Sequence, residues 1–492
     1  MKSVGYQWLI ERYSLNVCDL LAKSYGISAS RMKEVEEDGV RRLYYPLRRI
    51  SVDDTWQSNL VFAIKNEGVN LEVLKAFFLT RTNEEMRSFV QEHPTGSFHR
   101  RLWFFYEYLT GRKVDIADVV TGNYVDAVDE DFQVALPRGV AVRERRYRVM
   151  NNLIGTCDFC PLIRKTAAIK AFPAEKLKHL SDELLNRYSP ELLYRAVQYL
   201  YVKETKSSFA IECETPDQGR MDRFISILKN VSVDPIDKPF LISLQNAIVE
   251  GRYAQSDWRT DQVYVGEALT PDRENVHFIA VKPGDVEGIM RGFLSVLGNW
   301  ISASGGDPVI IAAVMSFAFV FIHPFDDGNG RLHRYLMHHI LTRKGFTPQK
   351  FIFPVSAVLL KHSTEYDWML ETFSKRLMSR LEYVMDSNGE LEVSGDCADF
   401  YRYVDYTPIV EKFQQIIKMT IETEWKVELD YLVRYDRIRV GMRAVVDMPE
   451  KKANQFILFV RQNGGKLSSA KRGFFPELNE DEIRRLEEAV ND

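Results

Sequence analysis

The chain has 492 residues, a net charge of −4, 45% hydrophobic residues and 27% charged ones, a length for about three globular domains and a charge with no global signal for nucleic acid. Its apolar run at 309–322 is shorter than the ~20 residues of a membrane span, and the first residues hold no long apolar stretch, so neither a membrane anchor nor a secretory leader is expected. Five cysteines, an odd and sparse set, fit reduced thiols in a cytoplasmic protein.

Residues 1–135 read as a mostly helical domain. Leu60, Ile64 and Leu71 follow one amphipathic pattern, and 71–78 is a second apolar cluster. Trp103, Phe104, Phe105, Tyr106 and Tyr108 could stack nucleobases, but aromatics at this density are expected to be core. Residues 136–204 read as a helical connecting region. Its basic run, Arg138 to Arg148, is expected to be a solvated face or a small acidic contact. Helices follow at 174–187 and 190–202. Cys157 and Cys160 have no second pair at zinc spacing, so a structural role is expected. At 205–215 a helical stretch puts Ser208 and Glu212 one turn apart on one face. The alternation at 262–266 and the run 276–281, around a turn-rich 270–275, read as a β-hairpin. A helix is expected at 286–300.

The densest chemistry lies at 323–334, His-Pro-Phe-Asp-Asp-Gly-Asn-Gly-Arg-Leu-His-Arg. Asp307-Pro308 supplies an N-cap and a first-turn proline for an apolar helix before it. A second helix follows, with Leu332, Leu336 and Ile340 on one side and Gly345 as its stop. Arg331 and Arg334 project together from the first turn of that helix. Basic side chains there oppose the helix dipole, but with the free N–H groups of a glycine-rich helix start they make an anion pocket, most naturally for phosphates. Asp327 at its edge has the chemistry to hold Mg²⁺. His323 is a candidate general base.

Past residue 351, helices run to 385, and 387–389 reads as a linker. Residues 400–492 read as a separate small domain, with a helix at 453–460, a turn at 463–465 and a capping box from Asn479 to Glu482. The pattern loosely resembles a winged helix with Arg461, Lys466, Lys471 and Arg472 near the wing. A protein-contacting or dimerising module fits equally well.

The stretch 323–334 resembles the motif of the Fic (filamentation induced by cAMP) family, His-x-Phe-x-Asp/Glu-Gly-Asn-Gly-Arg-x-x-Arg, at every fixed position. The resemblance implies a protein adenylyltransferase that moves AMP from ATP to a Ser, Thr or Tyr hydroxyl of a target protein. By the same resemblance His323 deprotonates the hydroxyl and Phe325 anchors the loop. Asp327 holds Mg²⁺, and Gly328, Asn329 and Gly330 form the phosphate hole. Arg331 contacts the β-phosphate and Arg334 the γ-phosphate; Asp326, at a variable position, has no role. Ser208 and Glu212 fit the family's inhibitory pattern, Ser/Thr-x-x-x-Glu-Gly/Asn, with Cys213 in the last place. Glu212 is therefore expected to pair with Arg334 and block ATP. Glu67-Gly68 resembles the same element more weakly, because Ala63 stands where Ser or Thr belongs. Thr270 to Asn275 fits it in letters only, since Pro271 argues against a helix.

Residues 252–279 correspond to the family's flap, whose edge receives the target segment as an added strand. The implied fold is mainly α: an all-helical Fic core at 205–386 with a small β-hairpin flap, an N-terminal helical domain and a small C-terminal winged-helix-like domain. Three alternatives stay open. The donor is another nucleotide or a phosphocholine compound; the enzyme removes AMP; or the chain is a nucleotide-sensing regulator that binds DNA through its C-terminal domain. A homodimer is also open.

Overall fold

A computed structural model describes the chain apart from residues 29, 38–39, 231–235, 271–272, 304, 349–350, 387–388 and 492, and apart from the side chains of 268–270 and 273. The expected turn at 270–275 and linker at 387–389 lie partly outside the described residues.

The mainly α class holds, with one correction at the N-terminus. Residues 1–135 are not mostly helical: β1 (Lys2–Ser3), β2 (Ala22–Ile27), β3 (Lys33–Glu37) and β4 (Val40–Pro46) form a sheet in the order β1-β2-β4-β3. β2 runs parallel to β4, with Tyr25 beside Tyr44, and β3 runs antiparallel to β4. β3 is charged and solvent-facing, so no hydrophobic alternation marks it. Five helices follow or flank the sheet: α1 (Tyr6–Tyr13), α2 (Trp56–Asn66), α3 (Leu71–Leu79), α4 (Asn83–Glu92) and α5 (Ser97–Thr110). The aromatic run sits on α5, where Trp103, Phe104, Phe105 and Tyr106 are fully buried. Glu67 is buried behind α2 and accepts the Tyr6 N–H at 2.8 Å, which places its carboxylate at the N-terminus of α1, where the helix dipole favours an anion.

The next region holds β5 (Val125–Asp126), β6 (Val142–Glu144), β7 (Val149–Asn151), α6 (Ala167–Ala171) and α7 (Ala174–Leu185). The basic run does make an acidic contact: Arg146 pairs with Glu107 at 3.0 Å and Asp118 at 2.8 Å, and lies over the Trp103 ring at 4.7 Å.

The helix expected at 190–202 is longer. α8 runs unbroken over Pro190–Ile211, so a boundary at 204/205 falls inside one helix. The helix and the turn before it are tied to the segment 424–436: Tyr188 O–H donates to Asp430 at 2.6 Å, Arg195 pairs with Asp436 at 2.7 Å, and Lys203 with Glu424 at 2.6 Å. α9 (Gln218–Lys229) and α10 (Lys238–Ile248) lead to the hairpin of β8 (Tyr264–Thr270) and β9 (Arg273–Ile279). Its register runs from Tyr264 opposite Ile279 to Thr270 opposite Arg273, with two irregularities. The hairpin is a separate two-stranded sheet.

α11 (Pro283–Ser302), α12 (Pro308–Ile322) and α13 (Asn329–Arg343) carry the centre. Asp307 caps α12 by accepting the Val309 N–H at 2.8 Å and the Ile310 N–H at 3.1 Å. α12 is buried on every side over almost its whole length, as an unbroken apolar run requires. α14 (Val355–Lys361), α15 (Ser363–Met378), the hairpin of β10 (Tyr383–Met385) with β11 (Leu391–Val393), α16 (Ala398–Arg402) and α17 (Thr407–Met419) close around it. One continuous core joins residues from Tyr6 to Leu429.

The C-terminal expectation is corrected in two ways. A second core starts only at Ile438, because 400–429 packs into the first. After a π-helical turn come α18 (Lys426–Val445), α19 (Glu450–Gln462), α20 (Ser469–Arg472) and α21 (Glu480–Asn491). Among the described residues nothing after Val393 is a strand, so the wing of a winged helix is absent. The basic residues near the expected wing are engaged locally: Lys471 lies over Phe459 at 4.6 Å, Arg461 lies over Tyr431 at 5.5 Å, and Arg472 pairs with Glu480. The capping box is present, with Asn479 and Glu482 exchanging two 2.9 Å bonds. No helix is long and apolar enough to cross a membrane among the described residues.

Candidate active site

The site is built where α12 ends and α13 begins. His323 closes α12 in a left-handed conformation, φ 55°, which few non-glycine residues adopt. That turn reverses the chain and leaves His323 half-buried. Its Nδ1 is 3.1 Å from the Val320 carbonyl. A carbonyl only accepts, so Nδ1 carries the hydrogen and the Nε2 lone pair is left for a substrate proton. Burial pushes the imidazole down from 6.5 to about 4, so it is neutral at physiological pH.

Two devices hold the loop after His323. Phe325 is fully buried, with its ring 5.1 Å from Trp258. The Asn329 side chain spans the turn, accepting the Phe325 N–H at 3.1 Å and donating to the Phe325 carbonyl at 2.7 Å. Asn329 thus offers an anion its backbone N–H, not its amide group. The first-turn N–H groups of α13 have no intrahelical partner, and Gly328, at φ 94°, turns the chain into them.

Sequence reasoning missed the third support. Arg259, 3% exposed, donates from Nε to the His323 carbonyl at 2.7 Å, from Nη1 to the Asp261 carbonyl at 2.6 Å, and from Nη2 to the Val281 carbonyl. Its own N–H donates to the Pro324 carbonyl at 2.9 Å. One buried guanidinium therefore ties both roots of the hairpin to the histidine. Its position directly before the hairpin is the only signal the sequence holds.

The anion pocket is where the arginines meet α8. Ser208, Glu212 and, one turn earlier, Glu204 face Gly330, Arg334 and His338 of α13. His338 Nε2 is 2.7 Å from the buried Glu204 carboxylate. Arg334 donates from Nε to the Ser208 hydroxyl at 2.8 Å and from Nη2 to the Ser208 carbonyl at 2.8 Å. It pairs with Glu212 Oε1 at 2.7 Å, and its side chain is only 1% exposed. A Cβ on Gly330 would lie 2.1 Å from Glu212 Oε1, so the carboxylate sits against the start of α13, over the anion site.

Cys213 explains its own oddity. It is left-handed, φ 56°, and its N–H donates to the Ala210 carbonyl while the Glu214 N–H donates to the Phe209 carbonyl. That is a Schellman end to α8, where Gly or Asn is the ordinary choice. Arg331 is also occupied: Nη2 meets Asp327 Oδ1 at 2.7 Å and Glu214 Oε1 at 3.0 Å. The structure thus brings His323, Phe325, Asp327, Gly328, Asn329, Gly330, Arg331, Arg334, Ser208 and Glu212 together, and adds Arg259 and Glu214. On its other side His323 faces a cavity of about 280 Å³ lined by Val265 and Phe278 of the hairpin and by Asp367 and Glu371 of α15.

The model of the Fic/DOC family matches residues 235–341, which hold the whole motif and the hairpin but not Glu212. The protein adenylyltransferase Fic of Aedes aegypti is 40% identical over 92 residues, 19% of this chain and 16% of that protein. That of Nematostella vectensis is 29% identical over 157 residues, 31% of this chain and 26% of that protein. The chain therefore spans about a quarter or less of the length of these relatives. Among solved structures, a Fic family protein from Desulfovibrio desulfuricans G20 is 19% identical with a TM-score of 0.39, covering 63% of this chain and 87% of that one. Fic-1 (residues 134–508) from C. elegans is 19% identical with a TM-score of 0.34, covering 74% and 92%. The motif, the hairpin and the family match all fall within 235–341, so these residues form a Fic/DOC domain.

Proposed function

We propose that the chain is a protein adenylyltransferase held inactive by Glu212. The observation that carries this is the Glu212 carboxylate lying on Arg334 and against Gly330, in the anion pocket beside a histidine with a free Nε2. In the active state the triphosphate of ATP takes the place of that carboxylate. Backbone N–H groups of α13 and the two arginines hold the β- and γ-phosphates, which spreads the charge of the leaving group. His323 Nε2 takes the proton of a target hydroxyl. The oxygen bonds to the α-phosphorus, the bond to the β-phosphate oxygen breaks, and pyrophosphate leaves.

Asp327 would hold a Mg²⁺. It offers one half-exposed carboxylate, of which Oδ1 serves Gly328 N–H and Arg331. Among the described residues no cluster of three metal-ligating side chains is present. Bound at Asp327, the cation would neutralise developing charge on the phosphates. The free edge of the hairpin suits a target segment added as a strand.

The test compares wild type, Glu212→Gly and Glu212→Gly/His323→Ala with Mg²⁺ and ATP labelled at the α-phosphate, read by intact mass. AMP gain in the first variant, on the chain itself or on lysate proteins, and its loss in the second are expected. No AMP transfer by Glu212→Gly to any protein would refute the activity.

A further inference from the structure

The turn that ends α8 delivers two carboxylates to the pocket, not one. Glu212 takes Arg334. Two residues on, past left-handed Cys213, Glu214 meets Arg331 through both oxygens, at 3.0 Å and 3.2 Å. Arg331 is 1% exposed and lies 5.4 Å over the Phe209 ring. Arg220 lies 5.1 Å over the same ring and donates to Glu214 Oε2 at 2.7 Å. Glu214 is thus shared between a buried pocket arginine and a second arginine on α9. Arg220 is further held by the Ile248 carbonyl at 3.3 Å.

The charges balance. Arg331, Arg334 and Arg220 face Asp327, Glu212 and Glu214, so the pocket as it stands offers a polyphosphate no net positive charge. Removing Glu212 restores Arg334 only, and Arg331 keeps two carboxylates. Arg331 Nε has no hydrogen-bond partner among the described residues although it is buried, a donor left unused at the occupied end of the pocket.

We propose that Glu214 is a second gate on this pocket, selective for the β-phosphate at Arg331, and that Arg220 is the cation that receives it when the gate opens. This rests on the adenylyltransferase reading above. Glu214 keeps its 2.7 Å bond to Arg220 and swings off Arg331, so opening transfers a carboxylate between two cations and strands no charge. A ligand with one phosphate does not reach Arg331 and does not sense the gate.

The experiment titrates the full chain with Mg·ATP and with AMP by calorimetry. The variants are Glu212→Gln, Glu212→Gln/Glu214→Gln, Glu212→Gln/Arg220→Met and the triple combination. Glu214→Gln in the Glu212→Gln background is expected to tighten Mg·ATP by about tenfold, the scale of one charge-assisted pair, and to leave AMP within about twofold. Arg220→Met alone in that background is expected to weaken Mg·ATP, because Glu214 then rests on Arg331 alone, and adding Glu214→Gln should rescue it. A merely structural Arg220 would show no such rescue. Equal Mg·ATP affinity with and without Glu214, or parallel gains for AMP, overturns the gate and leaves the reading of Glu212 intact. No binding of either nucleotide by any variant overturns both.

Discussion

Replacing Arg259 by alanine removes one guanidinium from three carbonyls at once. That of Val281 is buried and that of His323 partly so, and a buried acceptor left unpaired costs ~1–3 kcal/mol. Two of them, with some relief from entering water, put the local loss at about 3 kcal/mol. At ~1.4 kcal/mol per factor of ten, that is about 100-fold in the local opening equilibrium. The amides that report it are His323, which donates to Phe319, and Ala280, which donates to Val263. Hydrogen exchange at both should quicken by about that factor. In a Glu212→Gly background AMP transfer should fall about 100-fold too, since a displacement of ~1 Å at the base is enough. Affinity for ATP should hold, because no contact of Arg259 reaches the arginine cradle. Arg259→Lys keeps the charge but not the fork and should fall between. Unchanged exchange at both amides, or an ATP affinity that falls in step with transfer, would refute the reasoning.

Burial holds His323 near 4 in place of 6.5, so kcat/KM of Glu212→Gly should stay flat from about pH 8 to about pH 5 and decline only below; an acid limb centred on the ordinary histidine value would contradict this. The same depression favours folding fully above 6.5, and that contribution is lost as pH falls toward 4, which denaturation midpoints across that window should show. Phe325→Ala should destabilise the chain by about 3–5 kcal/mol and Phe325→Leu by under about 1.5 kcal/mol, measured by denaturant unfolding; equal losses would mean the ring does not anchor the loop. Cys213→Gly removes left-handed strain and should stabilise the end of α8 by up to about 1 kcal/mol, seen as slower exchange of the Glu214 amide; faster exchange there would show that the turn needs the cysteine.

The parts of the chain legible in the sequence are those written in local chemistry. Asp307-Pro308 and Gly345 bracket α12 and α13 closely, because caps and stops act within a few residues. The hairpin strands fall within two to four residues of their expected places. What stayed hidden is non-local. β2 pairs with β4 in parallel across an intervening strand, and β3 keeps no apolar face to betray it. Arg259 works through carbonyls of three separate segments, which leave no mark in side-chain letters. Glu214 lies outside the inhibitory pattern and reaches Arg331 only because Cys213 turns left-handed, a geometry its identity does not announce. The winged-helix expectation failed because no strand follows Val393 among the described residues, and Phe475 is a core residue between α20 and α21.

α8 is an unbroken helix of 22 residues, about 33 Å long at ~1.5 Å per residue. One end is bolted to α18 by Tyr188 and Arg195, and the other carries the plug in the pocket. A rod of that length turns angle into distance: pivoting at the α18 end by about 5° moves its tip by about 3 Å, as far as a hydrogen bond is long. The contacts to α18 and the Glu212–Arg334 pair thus sit at opposite ends of one helix.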